Sequence, residues 1–249
     1  MAVQNRLQKT AVNKADQIAE YEANGMKVTL SPNVVRNYLV SGNKELVTMQ
    51  EVAMFINLCK FSGLNPWLKE AYLIKYSSNE PATLVTGKEA FQKRAEDNPN
   101  YDGSEAGIIV LIEETGEIEY RKGTIKLAGE TIIGGYAEVW RKDRAHSTRI
   151  EVSFDEYAGR KKDGSLNGQW SKKPATMIRK VALVQALREA FPKAFGGMYT
   201  AEEQGTTEPE FTVNFENPPA IAETVEEPHE EKTENSDNKA TDAEAALFS

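Results

Sequence analysis

Between residues 106 and 153 the hydrophobic pattern takes on a period of two, and that change restricts the fold more than any other feature of the chain. Ile108-Ile109-Val110-Leu111-Ile112 is a β-rich run, Glu114-Thr115-Gly116-Glu117 reads as a turn, and 118–125 alternates. Gly134-Gly135-Tyr136-Ala137-Glu138-Val139-Trp140 supplies another strand, and 148–154 the next. Connections this short cannot carry a crossover, so the expectation is an antiparallel sheet of about four strands. A different period follows. Pro174 opens a long helix that runs to Phe191 and is stopped by Pro192, with Met177, Val181, Val184 and Leu187 near helical spacing. Strands and helices segregated in this way favour an α+β fold, an antiparallel sheet with packed helices.

Upstream, residues 5–24 carry Leu7, Val12, Ala15, Ile18, Ala19 and Tyr21 at loosely helical spacing. They predict a helical N-terminal arm, packed on a neighbouring subunit or on its own domain. Ser31-Pro32 starts a second helix, with Ser as the cap and Pro at the first helical position, ending near Ser41-Gly42. Thr48-Met49-Gln50-Glu51 matches a capping box, after which Val52, Phe55, Ile56 and Cys59 share a face and Gly63 ends the helix. Two strands at 71–76 and 82–86 and a helix at 87–97 complete this half. The expected division is an arm for oligomerisation at 1–44, a core at 45–204 and an acidic tail at 205–249. After Gly205 the composition collapses to Glu, Thr, Pro, Asn and Ala, a disorder signature, before a small apolar cluster, Ala245-Ala246-Leu247-Phe248.

Charge is distributed unevenly. The chain carries a net −8, yet residues 141–200 hold 13 Lys and Arg against 6 Asp and Glu, while 201–249 hold 2 against 14. A local positive field beside aromatic residues suits a polyanion, and nucleic acid is the first candidate. The single cysteine, Cys59, sits in an apolar run and reads as a buried core residue, in keeping with a reducing cytoplasm. The N-terminus lacks a signal-peptide apolar region, and no stretch approaches the ~20 apolar residues of a membrane span, so a soluble cytoplasmic protein is expected.

Several chemistries lack their signatures. No GxxxxGK[ST] phosphate loop and no GxGxxG occurs. His146 and His229 fit no metal-ligand pattern, and Cys59 stands alone. Glu113, Glu114, Glu138, Asp143, Glu151 and Asp155 are carboxylates that a metal-dependent nuclease could use, although their spacing singles out no cluster and a solvated strand face explains them as well.

The basic stretch has three parts. Trp140-Arg141-Lys142-Asp143-Arg144 with Arg149 lies at a strand end and its turn, where Asp143 can hold one Arg in place. Lys161 and Lys162 lie in a Gly-rich loop that leads to Trp170, Lys172 and Lys173, with Trp170 read as a core anchor. On the helix, Arg179, Lys180 and Arg188 fall mostly away from the apolar positions, and Gln185 is a neutral polar group able to read a backbone or a base edge.

The string Trp170-x-x-Lys173-Pro174-x-x-Met177-Ile178-Arg179-Lys180-x-Ala182-x-x-Gln185-Ala186-x-Arg188-x-Ala190-Phe191 resembles the signature of phage RecT/Redβ recombinases. So do Arg141-Lys142-Asp143-Arg144, the segment Gly63-Leu64-Asn65-Pro66-Trp67-Leu68-Lys69-Glu70-Ala71-Tyr72 and Pro99-x-Tyr101-Asp102-Gly103, over roughly 45–200 in all. The resemblance implies a single-strand annealing protein that coats single-stranded DNA and pairs it without ATP. It also implies rings or helical filaments, and a companion 5′–3′ exonuclease. DNA contacts carry over to Lys69, Arg141, Lys142, Arg179, Lys180, Gln185 and Arg188, and more loosely to Lys161 and Lys162. Arg149, Lys172 and Lys173 join them on charge alone. Where the family often has Asp-Gly-Trp, this chain has Lys88-Glu89-Ala90-Phe91. No catalytic site, metal or cofactor is expected, with Mg²⁺ assisting only through the DNA. The tail is read either as a solubilising leash or as a dock for the exonuclease or a host single-strand binding protein. The alternative kept beside annealing is a metal-dependent nuclease or another kind of DNA binder.

Overall fold

The computed structural model describes residues 18–206. Among the described residues the first elements are strands, not a helix. β1 (Ala19–Ala23) and β2 (Met26–Leu30) form a hairpin around Asn24-Gly25, whose φ values of 52° and 72° are those of the tight turn that matches strand twist. The Asn-Gly pair decides the matter: Tyr21 and Ala23 alternate inward with Val28 and Leu30, and that period of two overrides the loose helical spacing. The rest of the expected arm, 1–17, and the tail from 207 lie outside the described residues.

The Ser31 hydroxyl accepts from the Val34 N–H at 3.2 Å and opens α1 (Pro32–Val34). A π-helical turn continues to Leu39, and the chain then enters β3 (Val40–Gly42), so this helix ends sooner than the sequence suggests. In α2 (Met49–Phe61) the capping box forms in full: Thr48 Oγ1 accepts from the Glu51 N–H at 3.2 Å, and Glu51 accepts from the Thr48 N–H at 2.8 Å. Val52, Phe55, Ile56 and Cys59 are all buried, as their spacing demands. β4 (Ala71–Lys75) pairs parallel with β3 and antiparallel with β5 (Thr83–Thr86), and α3 (Lys88–Glu96) follows.

The second half opens with β6 (Tyr101–Ile112), β7 (Ile118–Lys122), β8 (Glu130–Arg141) and β9 (Thr148–Ser153). They make a four-stranded antiparallel sheet in the order β7-β6-β8-β9. Two short helices, α4 (Phe154–Tyr157) and α5 (Gly168–Lys172), lead into α6 (Pro174–Ala190), and α7 (Pro192–Phe195) closes the series. α6 lies against the sheet so closely that a Cβ on Gly135 would stand 2.7 Å from the Ile178 carbonyl oxygen. Trp170 is fully buried and meets Phe154 edge-on at 5.4 Å, the core anchor that its position suggests.

α6 is enclosed on most of its circumference, with Met177, Ile178, Lys180, Val181, Ala182, Leu183, Val184, Ala186, Leu187 and Ala190 buried. It is therefore a central helix of the core, not a one-sided surface helix. The last described segment, 198–204, straps the other sheet: the Thr86 N–H donates to the Tyr199 carbonyl at 2.7 Å, and Ala201 packs with Tyr72, Ile74 and Val85. Among the described residues no helix is long and apolar enough to cross a membrane.

Candidate nucleic-acid interface

Three segments separated in sequence meet at the C-terminal end of α6. The Lys142 N–H donates to the Asn100 carbonyl at 2.9 Å, tying the β8 end to 99–103. Tyr101 stands opposite Arg141 in the β6–β8 register, and its ring lies 6.3 Å from that of Phe191. Between them opens a cleft of about 280 Å³ lined by Asn98, Arg141, Arg144, Phe191, Pro192, Lys193 and Ala194. Three cations line it and no carboxylate does.

Arg141 is held rather than free. Its guanidinium grips Asp143 through two bonds of 2.8 and 2.6 Å, donates to the Ala190 carbonyl at the end of α6, and lies 4.5 Å over the Phe191 ring. The guanidinium hydrogen bonds hold the Asp143 carboxyl below its ordinary range, and the same contact raises Arg141. A cation so committed shapes the cleft wall and caps the negative end of a helix. Lys142, Arg144 and Lys193 are exposed around it and can follow a phosphate. Arg94 braces this end from behind: it donates to the Ala194 carbonyl at 2.8 Å and to the Ser62 carbonyl at the end of α2.

The other expected residues fall elsewhere. Lys161 and Lys162 are exposed in the loop pinned by the Arg160–Leu166 bridge, and Lys172 and Lys173 are exposed at the α5–α6 junction. That places these four lysines at the opposite end of α6, a helix of roughly 25 Å. Lys69 is exposed, in a left-handed conformation (φ 62°) that ends a 3₁₀ turn over Pro66–Leu68. Arg149 lies on the sheet face away from α6, 4.9 Å from the Tyr120 ring and 5.2 Å from the Tyr136 ring, paired with Glu151 at 3.0 Å.

The cations of α6 itself turn inward. Lys180 is buried and bonds Glu202 at 2.6 Å. Arg188 pairs with Glu203, stacks 4.8 Å over Tyr199 and donates to the Met198 carbonyl at 3.2 Å. Arg179 donates to the Ala106 carbonyl at 3.0 Å, and Gln185 to the Tyr157 hydroxyl at 2.6 Å. The helical wheel misplaces Lys180 and Arg188 because it counts only the sheet as a neighbour, whereas the 198–204 strap covers a second side. Lys193 belongs to the basic block of 141–200 but is not singled out there as a contact; its place just beyond Pro192, beside the Arg141 turn, becomes visible only once the chain is folded. Among the described residues, no group of three or more His, Cys, Asp or Glu is arranged to hold a metal ion.

The sequence model of the RecT family matches residues 28–215 of the chain. The chain is 26% identical over 145 residues to the recombination protein bet of Escherichia phage lambda, a match covering 57% of this chain and 46% of that protein. It therefore spans about half the length of that relative. It is also 27% identical over 187 residues to an uncharacterized protein of Ureaplasma parvum serovar 3, covering 72% of each.

Proposed function

Because the chain belongs to the RecT family, we propose that it is a single-strand annealing protein of phage-type recombination. It binds single-stranded DNA, pairs complementary strands without ATP and works as a homo-oligomer. The observation that carries this reading is the cleft, where three of the family-like motifs converge on Arg141, Arg144 and Lys193 with no acid in the wall. Phosphate neutralisation and counterion release favour bringing two backbones together, and base pairing supplies the free energy. Mg²⁺ would act through the DNA alone. A 5′–3′ exonuclease that supplies the strand and a host single-strand binding protein are the partners this activity calls for, with the tail as their dock.

The test mixes labelled complementary oligonucleotides with the protein, with Mg²⁺ and without ATP. Accelerated pairing with strands of unchanged length is expected, and shortened strands would replace annealing with a nuclease. Arg144→Ala with Lys193→Ala should reduce the salt slope of single-strand binding by roughly 1.4, two phosphate contacts at about 0.7 each. An unchanged slope in a folded variant would remove the cleft from the DNA path.

A further inference from the structure

The 198–204 strap is built like a latch. Glycines bracket it, Gly196-Gly197 before and Gly205 after, and Gly197 and Gly205 take φ values of 76° and 67° with open space where a Cβ would stand. Between them the backbone folds on itself. The Gln204 N–H donates to the Thr200 carbonyl at 3.3 Å and the Thr206 N–H to the Ala201 carbonyl at 2.8 Å, so the segment can move as one piece about its two ends.

The strap's hold on α6 is through charge. Two consecutive carboxylates face Lys180 and Arg188, which stand roughly 12 Å apart along the helix. Glu202 accepts from Lys180 Nζ at 2.6 Å, and Glu203 takes the Arg188 guanidinium with both oxygens. The Tyr199 ring against Arg188 and the Met198 carbonyl that it bonds belong to the same segment. A carboxylate forked on a guanidinium has the geometry of a phosphate on a guanidinium, so the strap offers α6 what a nucleic-acid backbone would offer. The closed arrangement is also unfinished. Glu202 Oε2 is buried with no hydrogen-bond partner among the described residues, and an unmet buried acceptor makes opening less costly. We propose that the strap is an autoinhibitory latch, an internal stand-in for phosphate that a single strand displaces, yielding Lys180 and Arg188 to its backbone. The latch rests on the annealing reading and adds a threshold to it: a ligand with one phosphate replaces one pair, whereas a strand replaces both at once.

The Thr86 N–H reports the latch, since it is bonded to the Tyr199 carbonyl. Hydrogen exchange of the full chain should show this amide opening faster than those of β8, which wait for global unfolding, and oligothymidylate should speed it further. Glu203→Gln keeps the shape of the side chain and removes its charge. It should tighten oligothymidylate binding about tenfold, and Arg188→Ala in the same background should cancel the gain. A strap that only packs gives other results: Thr86 exchanging no faster than β8, protection unchanged or raised by DNA, or binding no tighter in a folded Glu203→Gln variant. Any one of these would overturn the proposal. The exchange measurement uses the parent alone, so it decides even where the variant does not fold. A parent that binds no single strand sinks the annealing reading and the latch together, whereas a parent that binds while Thr86 stays protected sinks the latch alone.

Discussion

Glu51 shows how much one side chain can organise. Its carboxylate closes the capping box of α2 and also accepts from Lys75 Nζ and the Ala82 N–H, each at 2.7 Å. Burial alone would raise its pKa, but these donors outweigh burial and hold it at about 2. A folded-state value below the ordinary 4.5 means the stabilisation is complete above about pH 4.5 and is lost as pH falls towards 2. Glu51→Gln should therefore cost about 2 kcal/mol at neutral pH. Chemical denaturation across pH should show the gap to the parent chain closing below pH 4.5, and a constant gap would refute this account. At this scale the sequence was informative where a residue's role is local. The Thr48–Glu51 box, the Ser31 cap and the burial of Cys59, whose thiol burial lifts to about 12, follow from neighbours a few positions away. It was silent on the Lys75 contact, because the partner lies 24 positions off.

Elements were legible in proportion to the strength of their period. The four strands of the larger sheet and α6 came through, while the first hairpin was hidden beneath apolar spacing that a helix fits almost as well. Only its Asn-Gly turn distinguished the two, and that pair was the signal to weigh. The α6–sheet contact makes a prediction of its own. Gly135→Ala puts a methyl group 2.7 Å from the Ile178 carbonyl oxygen and should destabilise the fold by about 1–3 kcal/mol. Gly168→Ala, with open space around it, should fall within about 0.5 kcal/mol of the parent in the same urea titration. Equal effects would mean that helix and sheet can separate at little cost.

For the molecule as a whole, the basic stretch proved to be several surfaces. A linear charge count placed 13 cations in one block, but folding sends Lys180 and Arg188 to internal glutamates and Arg149 to the far sheet face. What remains exposed gathers at the two ends of α6. If one strand runs between them, replacing Lys161, Lys162, Lys172 and Lys173 with Ala should lower the salt slope by roughly 2.8, adding to the loss from the Arg144 and Lys193 changes. Salt titrations of the two sets, separately and together, measure this, and a zero effect at the lysine end would confine the strand to the cleft. The strap at 198–204 carries a different consequence. Arg94 contacts the Met198 sulfur at 3.2 Å, Thr86 needs the Tyr199 carbonyl, and Ala201 completes the cluster of Tyr72, Ile74 and Val85. The half of the protein that leaves the ribosome first therefore lacks its closing pieces until residue 201 has emerged, and β4 and β5 wait, incompletely covered, for most of the time the described chain takes to be made.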